Sequence, residues 1–159
     1  MTQEDKRYLQ DKLCHERDKE LLLKDLCARL PYGVRCKYYN VYENCYEEGT
    51  VLGFERKEYI VIDGRCANVE EVKPYLFPLS SMTEEQLIEL KTFTDLRYEH
   101  NTLELVEWND NYKTLEFWLE EIPSYCVIEV FDWLNKNHFD YRGLIERGLA
   151  IDATGLNIY

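Results

Sequence analysis

The apolar period of this chain changes at Pro31. Before it, Leu9, Leu13, Leu21, Leu22, Leu26 and Leu30 recur at helical spacing, and Thr2 and Asp5 are placed as a capping pair. After it, Val34, Cys36 and Tyr38 alternate with Arg35, Lys37 and Tyr39, the period of a strand with one covered face. Proline disfavours helical geometry in the residue before it, and Gly33 comes two residues later, so the helix has to end at this corner. A chain that opens with one long helix over residues 3–30 and then switches to strands is directed toward an α+β fold. The apolar stripe fails at Arg17, and residues 10–20 are rich in charge. Residues 1–20 are therefore predicted to form a protruding helical extension in water or on a partner, with Leu21 to Leu30 packed on the body.

Short strands come next. Glu47-Glu48-Gly49 reads as a turn, Thr50 to Phe54 as a second strand with a bulge or bend at Gly53, and Glu58 to Ile62 as a third. Asp63-Gly64 is the strongest turn signal, because both central residues of a type I′ turn need positive φ. Arg65 to Val69 then pairs back. Four strands this close together predict a small antiparallel, barrel-like sheet. Residues 70–79, stiffened by Pro74 and Pro78, read as an apolar connector rather than a linker, so residues 1–159 are taken as a single domain.

The C-terminal half reads as helical. Ser81 or Thr83 caps a helix from Glu84 to Tyr98, with Leu87, Leu90, Phe93 and Leu96 inward. Residues 100–121 are the least regular, and a hairpin around Asn109-Asp110-Asn111 is the preferred reading. Ser124 caps a helix from Tyr125 to Asn137 with Val127, Ile128, Phe131 and Leu134 inward. Asp140 caps a last short helix that Gly148 stops.

Charge sets limits on partners. The net charge is -12, and residues 81–159 carry sixteen acidic and six basic side chains, so they supply -10 of it. From Glu99 to Asp132 there are nine acids and one base, Lys113. Such a surface repels phosphate backbones and anionic lipid and attracts basic proteins. No apolar run is long enough to span a bilayer, and the polar residues 1–6 do not resemble a signal peptide, so a cytoplasmic protein is expected. Six cysteines occur without any Cys-x-x-Cys pair, and are expected to be mostly buried apolar side chains rather than metal ligands or disulfides.

Catalytic signatures are weak. Cys126 and His138 lie more than three helical turns apart, and Cys14 and His15, as helix neighbours, point in different directions. His15, His100 and His138 have no zinc-site spacing, and none of the seven glycines builds a phosphate loop. No metal and no cofactor are expected. The tyrosines Tyr32, Tyr38, Tyr39, Tyr42, Tyr46 and Tyr59 suit a protein interface better than base stacking, given the acidic chain.

Three segments resemble a known family. They are Cys27-Ala28-Arg29-Leu30-Pro31-Tyr32-Gly33-Val34, then Glu70 to Leu76 with Pro78 and Ser80 to Glu85, then Asp132 to Ala150 with Trp133, Phe139, Tyr141 and Arg142. They are similar to a family of small uncharacterised proteins carried by Bacteroides-type bacteria and their phages or mobile elements. Residues 1–20 and 99–122 fall outside the resemblance, which implies an origin but no catalytic or binding residue. Read physically, Trp133, Phe139 and Tyr141 seat one helix on the next, and Arg142 pairs with a carboxylate.

The resulting expectation is a non-enzymatic protein-interaction factor encoded by a phage or mobile element, in its sharpest form an acidic counter-defence inhibitor that mimics nucleic acid. Its contact residues are expected among Glu99, Glu104, Glu107, Asp110, Glu116, Glu120, Glu121, Tyr141 and Arg142, with a basic protein as partner. The alternatives are a nucleic-acid-binding accessory protein using Tyr38, Tyr39 and Tyr59, and a small enzyme whose site carries no recognisable motif.

Overall fold

A computed structural model of the chain describes residues 2–56, 58–95 and 126–159. They form two compact units: Met1–Leu76 with Arg142–Tyr159, and Phe77–Tyr141.

The first unit opens with α1 (Gln3–Arg29), started by the expected capping box between Thr2 and Asp5. A 3-10 turn over Leu30–Tyr32 holds Pro31, and Gly33 takes a left-handed φ of 68° that turns the chain into β1 (Arg35–Asn40). Leu22 and Leu26 are fully covered, whereas residues 5–17 are exposed throughout, as the broken stripe predicts. One turn below Leu22 the helix buries a charge pair. Arg29 Nε and Nη2 donate to the two carboxylate oxygens of Asp25 at 2.7 and 3.0 Å, and both residues are 0% exposed. Arg142 Nε lies 3.5 Å from the same carboxylate, the kind of pairing expected for it.

The strands are β1 (Arg35–Asn40), β2 (Cys45–Arg56), β3 (Tyr59–Ile62), β4 (Arg65–Asn68), β5 (Val72–Pro78) and β7 (Ile151–Asp152), the last numbered after β6 (Phe139–Asp140) of the second unit. Within the first unit they run β4-β3-β2-β1-β5, antiparallel, with β7 parallel beside Tyr75–Leu76. The sheet is therefore mixed and open, which corrects the barrel-like expectation. Among the described residues β4 is a terminal strand that pairs with β3 alone, so the sheet does not close on itself.

The alternation of β1 is as expected: Cys36 and Tyr38 are buried with Val34 before them. Asp63 and Gly64 have φ of 47° and 84°, the type I′ signature. The pairing of β2 with β3 shifts register between Val51 and Gly53, where a bend was expected. Two readings are corrected. Glu47-Glu48-Gly49 is not a turn but lies inside β2, and the reversal falls at residues 41–44, where the Asn40 side chain accepts from the amides of Tyr42 and Glu43. The connector at residues 70–79 contains β5, whose Val72 and Leu76 join the core.

The end of the described chain is sewn into this sheet. The Tyr159 hydroxyl donates to the Tyr75 carbonyl at 2.8 Å and accepts from the Arg35 amide at 3.2 Å. Burial raises the Tyr159 phenol well above its ordinary value. Burial and then the bond donated to Glu48 push Tyr75 up to about 12, and burial pushes the Cys36 thiol to about 12. The unfolded chain releases these protons first, so it binds fewer protons than the folded one over that range. Stability is predicted to be fully present below the ordinary thiol and phenol values, and to fall as pH rises through them toward about 12. Urea midpoints taken across the alkaline range test this. A flat profile, with all thirteen tyrosines titrating together by absorbance, counts against the burial of these groups.

In the second unit, Phe77 and Pro78 pair in parallel with β6. Helix α2 (Glu84–Asp95) begins with Thr83 and Gln86 exchanging side chain to amide bonds. Helix α3 (Val127–Lys136) buries Val130, Trp133 and Leu134 against Leu79, Leu90 and Cys126. Its inward face is rotated from the expected one, since Ile128 is 79% exposed. Trp133 stacks on Phe139 at 5.7 Å, and Phe131 meets Tyr141 at 4.9 Å, so these aromatics do seat α3 on the segment after it. That segment is not a helix. Asp140 lies in β6, and residues 144–148 form turns between Gly143 and Gly148, whose φ of 69° and 70° interrupt helical geometry at both ends. The C-terminal half is thus only partly helical among the described residues. The hairpin expected at residues 100–121 lies outside them.

No helix among the described residues is long and apolar enough to cross a membrane. The cysteine expectation is corrected: only Cys36 and Cys126 are buried, and Cys14, Cys27, Cys45 and Cys66 are exposed free thiols.

Candidate functional site

Most of the acidic residues singled out from sequence, Glu99, Glu104, Glu107, Asp110, Glu116, Glu120 and Glu121, lie outside the described residues. Tyr141 and Arg142 are both half-buried: Tyr141 donates to Asn135 Oδ1 at 3.1 Å, and Arg142 approaches Asp25. Elsewhere acids are joined to bases of the same chain, as in Glu70 with Lys19 and His15, Asp18 with Arg147, and Glu47 with Arg65.

The described surface does assemble one group of side chains suited to recognition, on the outer face of β2, β1 and β5. Pairing sets it. Because Cys36, Tyr38 and Asn40 point into the core, Lys37 and Tyr39 point out. Register then places Tyr46 opposite Tyr39, and Glu48 and Lys73 on either side of Lys37. The rings of Tyr39 and Tyr46 meet edge to face at 5.3 Å, and Lys37 Nζ sits 5.4 Å from the Tyr46 ring centre. These residues, with Lys73, Glu70 and Glu71, line a groove of ≈ 360 Å³.

At the end of the hairpin the apolar side chains are left in water. Val41 is 59%, Tyr42 86% and Tyr46 67% exposed. They are held there by a rigid base rather than a loose loop. The Tyr39 hydroxyl donates to Asn44 Oδ1, and Asn44 takes a φ of 53°. Beneath them Glu47 accepts from Asn40 Nδ2 at 2.9 Å, the Tyr38 hydroxyl at 2.8 Å and Arg65 Nη1 at 2.7 Å. Those donors, Asn40 first, hold the Glu47 carboxyl below its ordinary value.

Chemically this face can stack and pair charges. Among the described residues, no group of three His, Cys, Asp or Glu side chains gathers closely enough to hold a metal. Of the tyrosines read from sequence, Tyr39 and Tyr46 come together and Tyr42 stands exposed in the turn between their strands, whereas Tyr38 is buried and cannot stack on a base. Lys73 and Val41 were missed. Lys73 was hidden by reading β5 as a connector, although its position between the apolar Val72 and Pro74 was a usable signal. Comparison with family models, with curated proteins and with solved structures finds no match to this chain.

Proposed function

We propose that this chain is a non-enzymatic protein-interaction factor that presents the β1–β2 hairpin to a protein partner. The observation that carries the reading is the exposure of Val41, Tyr42 and Tyr46 above a braced base. Large, rigid aromatic side chains that cost little entropy to fix are typical anchors of protein contacts. The net charge of -12 favours a basic partner, and the three-segment resemblance favours a phage or mobile-element origin. Counter-defence inhibition of a nucleic-acid-binding protein is the sharpest form of this proposal.

The test is affinity purification from the native host at low salt with quantitative mass spectrometry, comparing the natural chain with a Tyr42→Ser/Tyr46→Ser variant. Removing two anchors is expected to lower recovery of the partner by at least about tenfold, with the melting temperature unchanged. Identical recovery from both chains removes the hairpin from the proposal.

A further inference from the structure

We infer that this protein self-associates through the exposed half of α1, two copies lying antiparallel with Leu9 of each against Leu13 of the other. Residues 5–17 are exposed, yet Leu9 and Leu13 stand in water there at 46% and 59% exposure. Lys6, Leu9, Leu13 and Glu16 succeed one another at steps of 3, 4 and 3, the seam spacing of paired helices. At 3.6 residues per turn they occupy about 80° of arc. That arc lies roughly opposite the side carrying Asp18, Leu22, Asp25, Leu26 and Arg29, which meets the rest of its unit.

Charge selects the occupant. The seam reads basic, apolar, apolar, acidic, and reversing it gives its own complement. In the antiparallel register that sets Leu9 on Leu13, Lys6 of each copy faces Glu16 of the other. Neither residue has an ion-pair partner among the described residues, while neighbouring charges such as Glu20, Lys24, Asp18 and Lys19 do. A parallel pair in register would instead set Lys6 on Lys6 and Glu16 on Glu16. Asp11 lies at the centre of the antiparallel register but on the far side of the helix from the seam, so its charge does not oppose the contact. The seam is short, about 15 Å at 1.5 Å per residue, so the dimer is weak and reversible.

Sedimentation equilibrium of the full chain over a wide concentration range is expected to show monomer and dimer in exchange. Lys6→Glu and Glu16→Lys are each expected to weaken the dimer about tenfold by turning two attractions into two repulsions. The Lys6→Glu/Glu16→Lys chain restores it, because the pairs are only exchanged. Unchanged far-UV circular dichroism and melting in all variants shows that α1 persists. A monomer at every concentration, or a dimer indifferent to the single changes, overturns the inference. These readouts involve no partner protein and are independent of the hairpin.

Discussion

Arg29→Ala is expected to destabilise the first unit by about 3–5 kcal/mol, enough to consume much of the stability of a domain this size. The change leaves the Asp25 carboxylate in the core with its bidentate partner gone, and both side chains are 0% exposed. Arg142, 3.5 Å away and a quarter exposed, is too distant for more than partial compensation, which places the cost near the lower end. The control separates lost charge pairing from lost packing. An Asp25→Leu/Arg29→Met chain removes both charges while keeping apolar volume, and should recover most of the loss, to within about 1–2 kcal/mol of the natural chain. Urea denaturation measures both. If Arg29→Ala costs less than about 1 kcal/mol, the pair is not desolvated as the structure has it.

Gly49→Ala is expected to cost about 1–3 kcal/mol through overpacking. A methyl group built at Gly49 lies 2.5 Å from Ile62 Cγ2 and 2.7 Å from Asp63 Oδ2. Ile62 is fully buried, and Asp63 Oδ2 already accepts from the Thr50 amide at 3.1 Å, so neither neighbour yields without loss. Gly53, four residues on in the same strand, supplies the contrast. A methyl there meets nothing within 4 Å, and Gly53→Ala should be neutral or slightly stabilising by reducing the freedom of the unfolded chain. Thermal melts of the two variants, run together, distinguish close approach from a general intolerance of side chains in β2. Equal melting temperatures contradict the close approach.

Gly49 also shows where sequence reasoning stops. Beside two glutamates it carries the local signature of a turn, and only the arrival of β3 from elsewhere in the chain reveals that the position is one of close approach. Signals complete within a few residues were legible: the corner at Pro31, the type I′ turn at Asp63-Gly64, the alternation of β1 and the caps of α1 and α2. Elements defined by distant partners were not. Strand β5 has prolines at both Pro74 and Pro78, which read as connector, and it is a strand because β1 pairs with it on one edge and β6 and β7 on the other. The turns at residues 144–148 have helical composition but too few residues between left-handed glycines to sustain a helix. The site was half legible. Tyrosine enrichment pointed to a contact surface, but selecting Tyr39 and Tyr46 over Tyr38 required the register of β1 and β2.

The discontinuity of the first unit has a consequence for biogenesis. Strand β5 leaves it at Leu76, and the strand that completes its other edge, β7, begins at Ile151, after all of the second unit has been made. A ribosome therefore delivers α1 and the antiparallel strands long before Leu144, Ala150 and Tyr159, the residues that seal them. Nascent chains must wait with an unsealed core, a state that invites chaperone binding and slows maturation in a way that stability measured on the finished molecule does not report.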